Sequence, residues 1–140
     1  MKNMMPSPGR FGARRGSAMI ESALALLVLA TLMAGIMELG LAGLISSSVA
    51  FAAQRAARYA SVRGSGSGHP ATTADIQATA QSYAGPLATG ALKVTVTWTP
   101  NNNPGSTVLV RVSYDIKPSM LPVASGLLTL QSSARQTITQ

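Results

Sequence analysis

The sequence predicts an α+β fold. A long N-terminal helix, transmembrane in its inner part and amphipathic further out, packs on a small antiparallel sheet of about three strands, with one short helix beside it. Three observations carry this expectation. Between Ser22 and Gln54 the only ionisable residue is Glu38. No proline occurs between Pro8 and Pro70, and Ala and Leu dominate from Ala18 to Ala60. Beyond Leu92, apolar and polar residues alternate with the period of a half-buried strand. The chain has 140 residues, of which 11% are charged, against roughly 25% in soluble proteins. That deficit falls mainly in the apolar run, which marks a membrane segment more than a buried core.

The elements follow in order. Residues 1–16 hold Pro6, Pro8, Gly9, Gly12 and Gly16 among Lys2, Arg10, Arg14 and Arg15. Such a segment buries little apolar surface, so it is expected to be disordered. Its charges, placed just before an apolar run, predict that it stays in the cytoplasm and that the rest of the chain lies outside; Arg14 and Arg15 are the topology-determining pair. The run from Ser22 through Ala53 is too long for the 7–15-residue apolar region of an ordinary secretory signal. A span needs about 20 residues, so one helix over residues 17–62 crosses and still projects beyond the bilayer. In its outer half Ala53, Ala56, Ala57 and Ala60 form a small flat face suited to close packing on a sheet, with Arg55 and Arg58 on another side. Residues 63–71 open with Arg63-Gly64-Ser65-Gly66-Ser67-Gly68 and read as a flexible linker.

Residues 72–140 read as an extracytoplasmic α+β head. Thr72 or Thr73 caps a short helix running to about Ala84, with Asp75 favoured in its first turn, and Gly85-Pro86 ends it. Leu92, Val94, Val96 and Trp98 mark the inner face of one strand. Val108, Val110, Val112, Tyr114 and Ile116 mark that of a second, and the Asn101–Ser106 turn joins them into a hairpin. After a loop holding Pro118, Pro122 and Gly126, the alternation from Leu128 to Ile138 fits a third strand. Three antiparallel strands with one apolar face need a cover, and the alanine face of the long helix is the obvious one.

No catalytic set emerges, and the chain is read as a non-enzyme. The sole histidine, His69, sits in the Gly/Ser segment, and there are no cysteines. Asp75 and Asp115 have local explanations, at a helix start and on the outer face of a strand. No metal-ligand spacing or phosphate loop appears, so no metal and no cofactor is expected. The formal charge of +7 does not imply a nucleic-acid partner. Four of the positive charges precede the apolar run, and no basic cluster with interleaved aromatics remains.

Two acids stand out. Glu21 lies at the cytoplasmic edge of the run, either as an interfacial acid near the positive end of a helix dipole or as partner to a positive charge from another chain. Cleavage after Gly16 would give Ser17 a free α-amino group, and Glu21 could then pair with the amine of a neighbouring subunit. Glu38 is seventeen positions further on, roughly 25 Å along a helix and about 100° round, so the two share no face. It reads as an acid near the outer interface, or as an interhelical contact. Gly35, Gly40 and Gly43 permit close helix approach or a local bend.

Gly16 followed by Ser17-Ala18-Met19-Ile20-Glu21, with Arg14-Arg15 before and an apolar helix after, resembles a type IV prepilin processing site. The closer resemblance is to TadE-like minor pseudopilins of the tight-adherence (Flp, type IVb) pilus system. It is carried by Arg15 through Leu24, by Gly35-Ile36-Met37-Glu38-Leu39-Gly40, and by Ala52-Ala53-Gln54-Arg55-Ala56-Ala57-Arg58-Tyr59-Ala60, with the Val94-Thr95-Val96-Thr97 strand similar to the β portion of these proteins, so that it covers nearly all of the chain after Arg14. Leu41 departs from it, standing where many relatives have arginine. The resemblance implies cleavage between Gly16 and Ser17 by a prepilin peptidase, with removal of residues 1–16 as a leader. It implies a place in the bacterial inner membrane with the head periplasmic or extracellular. The partners implied are other pilin or pseudopilin subunits, the inner-membrane assembly platform and membrane lipid, in the service of surface attachment and biofilm formation. Two other readings use the same features: an uncleaved membrane scaffold of the pilus or secretion machinery, and an adhesin module tethered by the helix.

Overall fold

The computed structural model describes residues 11–85, 92–116 and 128–140. The first ten residues of the expected leader, the side chains of Arg14 and Arg15, and the loop with Pro118, Pro122 and Gly126 lie outside the described residues. The elements run α1 (Phe11–Ser61), α2 (Thr73–Ala84), β1 (Leu92–Thr99), β2 (Thr107–Ile116) and β3 (Leu128–Thr137). This is the expected α+β arrangement of one long helix, one short helix and a three-stranded antiparallel sheet.

α1 is longer than its composition suggests. It starts at Phe11, six positions before the expected start at Ser17. The last residues of the expected leader are therefore helical, contrary to the disorder read from their glycines. Gly12 and Gly16 each cost up to about 1 kcal/mol in a helix, but no proline lies between Pro8 and Pro70, and Ala13, Arg14 and Arg15 between the two glycines are good helix formers. Its 51 residues make a rod about 75 Å long at 1.5 Å per residue.

The sheet has the order β1-β2-β3. Its register sets Leu92 opposite Tyr114, Val94 opposite Val112, Val96 opposite Val110 and Trp98 opposite Val108. On the other side of β2, Leu130 pairs with Tyr114 and Ala134 with Val110. The alternation read from the sequence thus produces one apolar face, with Val108, Val110 and Val112 fully buried at its centre. The cover is the predicted one. Ala53, Ala56, Ala57 and Ala60 of α1 are buried and belong to the same core as the three valines, Ile76 and Ile138. A methyl-only face lets the helix backbone approach the sheet closely, and Ile76 and Ala80 of α2 close the core. The outer half of α1 is therefore part of the head rather than a stalk leading to it.

The segment 63–71 corrects the sequence reading. It is a packed turn, not a flexible linker. The Ala71 N–H donates to the Arg63 carbonyl at 2.8 Å, closing the loop, and the Ser65 N–H donates to the Asn102 carbonyl at 2.8 Å. The Ser65 hydroxyl donates to Asn103 Oδ1 at 2.7 Å. Gly64 is buried against Ile138 and the backbone of Gln140, with no room for a β-carbon. The Gly/Ser composition that suggests chain entropy serves instead to bring three backbones together. The hairpin turn ends on Gly105 at φ 85°, a left-handed conformation that favours glycine.

α2 begins with a reciprocal capping box. The Asp75 N–H donates to the Thr72 hydroxyl oxygen at 3.2 Å, and the Thr72 N–H donates back to the Asp75 carboxylate at 3.0 Å. The Thr72 hydroxyl and backbone together hold the Asp75 carboxyl below its ordinary value of 3.8. Asp115 is lowered too, first by the Thr129 hydroxyl and then by Lys93, whose ammonium lies 2.9 Å away. Because both acids ionise more readily folded than unfolded, the stability they lend is fully present above the ordinary carboxylate value. It is lost as pH falls through the folded value. Thr72→Ala is expected to cost on the order of 1 kcal/mol at neutral pH, and the difference from wild type should shrink at pH 3. Urea unfolding followed by fluorescence of Trp98, the sole tryptophan, checks both statements.

Candidate functional site

The inner half of α1 has no packing partner among the described residues. Residues 16–33 are exposed without exception among the described residues, a length of about 27 Å. They include Met19, Ile20, Leu24, Leu26, Leu27, Val28, Leu29, Leu32 and Met33, each more than half exposed. An apolar surface on every side of a helix needs lipid or other helices around it. The helix meets the length and composition of a membrane span, with mean hydropathy 2.2 over its most apolar window and none of that window buried.

Gly16 and Ser17 lie in this helix, exposed, and a β-carbon added at Gly16 meets nothing within 4 Å. Neither packing nor backbone geometry in the described fold requires a glycine there. Glu21, one turn beyond Ser17, is exposed and has no hydrogen-bond or ionic partner among the described residues. Gly35, Gly40 and Gly43 likewise have open space where a side chain would stand. Among the described residues the helix surface thus offers a free carboxylate at Glu21 and, at the exposed Gly40 and Gly43, open close-approach positions.

Glu38 is placed differently. It is half-buried and engaged in an interaction. Ala34, Gly35, Glu38 and Ala42 are all half-buried, and they continue downward the stripe of Ile45, Val49, Ala53, Ala56 and Ala60 that meets the sheet. The structure therefore separates the two acids. Glu21 is open to an outside partner, and Glu38 lies on the face of α1 that turns toward its own head.

A feature the sequence only half disclosed lies on the opposite side of the outer helix. The Arg55 guanidinium stacks over the Phe51 ring at 5.0 Å and over the Tyr83 ring of α2 at 5.6 Å. The two rings meet edge-to-face at 5.9 Å. Spacing put Arg55 and Arg58 off the alanine face, but nothing in the sequence announced that Tyr83 would meet them. Among the described residues no group of three or more metal-ligating side chains comes together.

The segment that carries these positions is also the one with relatives. Residues 16–58 match the family model of TadE-like proteins. The helix is TadE-like. The match opens at Gly16, takes in Glu21, Glu38, Arg55 and Arg58, and stops before α2 and the sheet. No curated protein and no solved structure matches the chain. The likeness is to TadE-like proteins over that segment, which is also the part of the chain long and apolar enough to cross a membrane.

Proposed function

We propose that this chain is a minor pseudopilin and not an enzyme. It inserts with its basic leader in the cytoplasm and is cut by a prepilin peptidase between Gly16 and Ser17. It then takes part, through α1, in assembling a tight-adherence pilus used for surface attachment. The observation that carries the reading is the coincidence at Gly16. The TadE-like match begins there, and that glycine weakens a helix in which no contact calls for it. A residue unneeded by the fold yet set beside Arg14-Arg15 is explained by recognition from outside.

The pattern of exposure along α1 supports one placement of the bilayer. α1 is bare from residue 16 to 33, and its head-facing side is covered from Ala34 onward. A span of about 20 residues starting near Gly16 ends near Glu38, which leaves that acid at the outer boundary and Glu21 at the inner one. After cleavage the Ser17 amine would be the chain's new terminus. In a bundle of like helices, the Glu21 carboxylate of one subunit would meet the amine of the next in a low-dielectric setting. Glu21→Ala should leave membrane insertion and leader removal unchanged and lower incorporation into pili at least tenfold. Immunoblots of membrane and sheared-pilus fractions measure it, and wild-type incorporation by the variant refutes the pairing.

One observation favours a second reading, an uncleaved membrane scaffold. α1 is unbroken through Gly16, so the scissile bond is helical and that turn must open before a peptidase can engage it. Gly12 and Gly16 lower the cost of opening.

A further inference from the structure

The arginine ridge on the outer half of α1 is unexplained by the membrane span, by the alanine face or by the cut. Arg55 and Arg58 stand one turn apart and exposed. Two open grooves of about 350 and 360 Å³ flank them. One is bounded by Phe51 and Gln136, the other by Thr79 and Tyr83. The chain has only four acidic residues, and none of them pairs with either arginine. Asp115 is held by Lys93 and Thr129, and Asp75 by the α2 cap. Glu38 and Glu21 lie about 25 and 50 Å down the rod. From residue 46 onward seven Lys or Arg face two acids, a net of +5.

We infer that this ridge is a docking surface for an acidic segment of a different protein subunit, one that runs alongside the outer half of α1. Three physical arguments converge on that occupant. The Phe51 and Tyr83 rings, with centroids 5.0 and 5.6 Å from the Arg55 guanidinium carbon, restrain the side chain. Its N–H donors can still meet a carboxylate, and a restrained side chain has less conformational entropy to lose on binding. A second copy is a poor occupant, because side-by-side docking sets four arginines together and both head acids are already engaged. Lipid headgroups are out of reach. The ridge stands about 25 Å beyond Glu38, whereas the headgroup layer on one side is only about 5–8 Å deep.

The inference rests on the proposed place of the chain in a multi-subunit assembly but not on its leader being cut. The test uses the full chain in cells carrying its own pilus machinery, with the photo-crosslinking amino acid p-benzoylphenylalanine at Gln54, an exposed position beside the ridge. The expected adduct joins a different chain at a segment containing Asp or Glu. Arg55→Glu with Arg58→Glu should lower its yield at least tenfold, with the Trp98 unfolding transition and membrane fraction unchanged. Replacing the partner's acid by Lys should restore it. An adduct with a second copy or with lipid overturns the inference. So does a yield indifferent to the double reversal, a partner segment without acids, or no adduct at all. Leader state and pilus incorporation are read from the same cells. An uncut or unincorporated wild-type chain that still forms the acid-dependent adduct sinks the pseudopilin reading and leaves the ridge standing. A cut, incorporated chain whose adduct ignores the reversal does the opposite.

Discussion

Gly64→Val is expected to destabilise the head by about 3 kcal/mol, the upper end of what overpacking a closed site costs. Gly64 lies where the turn after α1 crosses the last residues of the chain. A β-carbon there would overlap both the Gln140 carbonyl oxygen and the Ile138 side chain. Neither neighbour yields easily. Ile138 is buried in the core, and its backbone is tied on both sides. Its N–H donates to the Ser106 carbonyl and its carbonyl accepts from the Gly105 N–H, each at 2.8 Å. The Thr139 N–H donates to the Ser61 carbonyl at 2.9 Å, which holds the end of β3 to the end of α1. Room for the three added carbons has to come from breaking some of these ties. Gly66→Ala, whose β-carbon would lie 3.1 Å from the Gln140 carbonyl carbon, should cost clearly less. Urea unfolding in detergent, followed by Trp98 fluorescence, ranks the two, and equal midpoints would refute the packing account of this turn.

The second large effect concerns chemistry without a change of fold. Gly16→Phe should leave the leader on nearly all molecules while the head unfolds at the wild-type denaturant concentration. Position 16 has open space around it, so the head tolerates a large side chain there. A peptidase that must close on the bond after this residue does not. Gly16→Ala adds one methyl group and should be cut in part. Intact mass of the membrane-extracted chain separates the three forms. Cleavage of the phenylalanine variant at the wild-type level would show that the glycine is not what the peptidase reads.

Most of the fold was legible because its signals are periodic. The strands announce themselves by alternation from Leu92 to Ile138, and the cover by alanines at helical spacing. Thr72 or Thr73 with Asp75 gives the start of α2 to within one residue, and the cap is Thr72. What was not legible depends on long-range contact. Nothing local distinguishes a Gly/Ser stretch that stays loose from one whose glycines let Gly64 slide under Ile138. The early start of α1 was hidden for a related reason, since glycine lowers helix stability without forbidding the helix. The candidate site divides in the same way. Gly16, Ser17 and Glu21 are visible because their order along the chain is itself the signal. The half-buried state of Glu38 follows from a stripe whose lower part falls among strongly apolar residues, where helical period is hard to read. The union of Arg55 with Phe51 and Tyr83 needs α2 folded against α1, which no spacing within α1 foretells.

The central claim is that a basic leader directs a TadE-like helix into the membrane and is then removed to create the terminus at Ser17. The most direct test is the N-terminal mass of the wild-type chain, purified from membranes of cells that contain a prepilin peptidase. The account predicts a chain beginning at Ser17, with residues 1–16 gone, and the uncut form restored when the peptidase is deleted. A chain that keeps Met1 through Gly16 in the presence of active peptidase would contradict it and leave the uncleaved scaffold as the surviving reading.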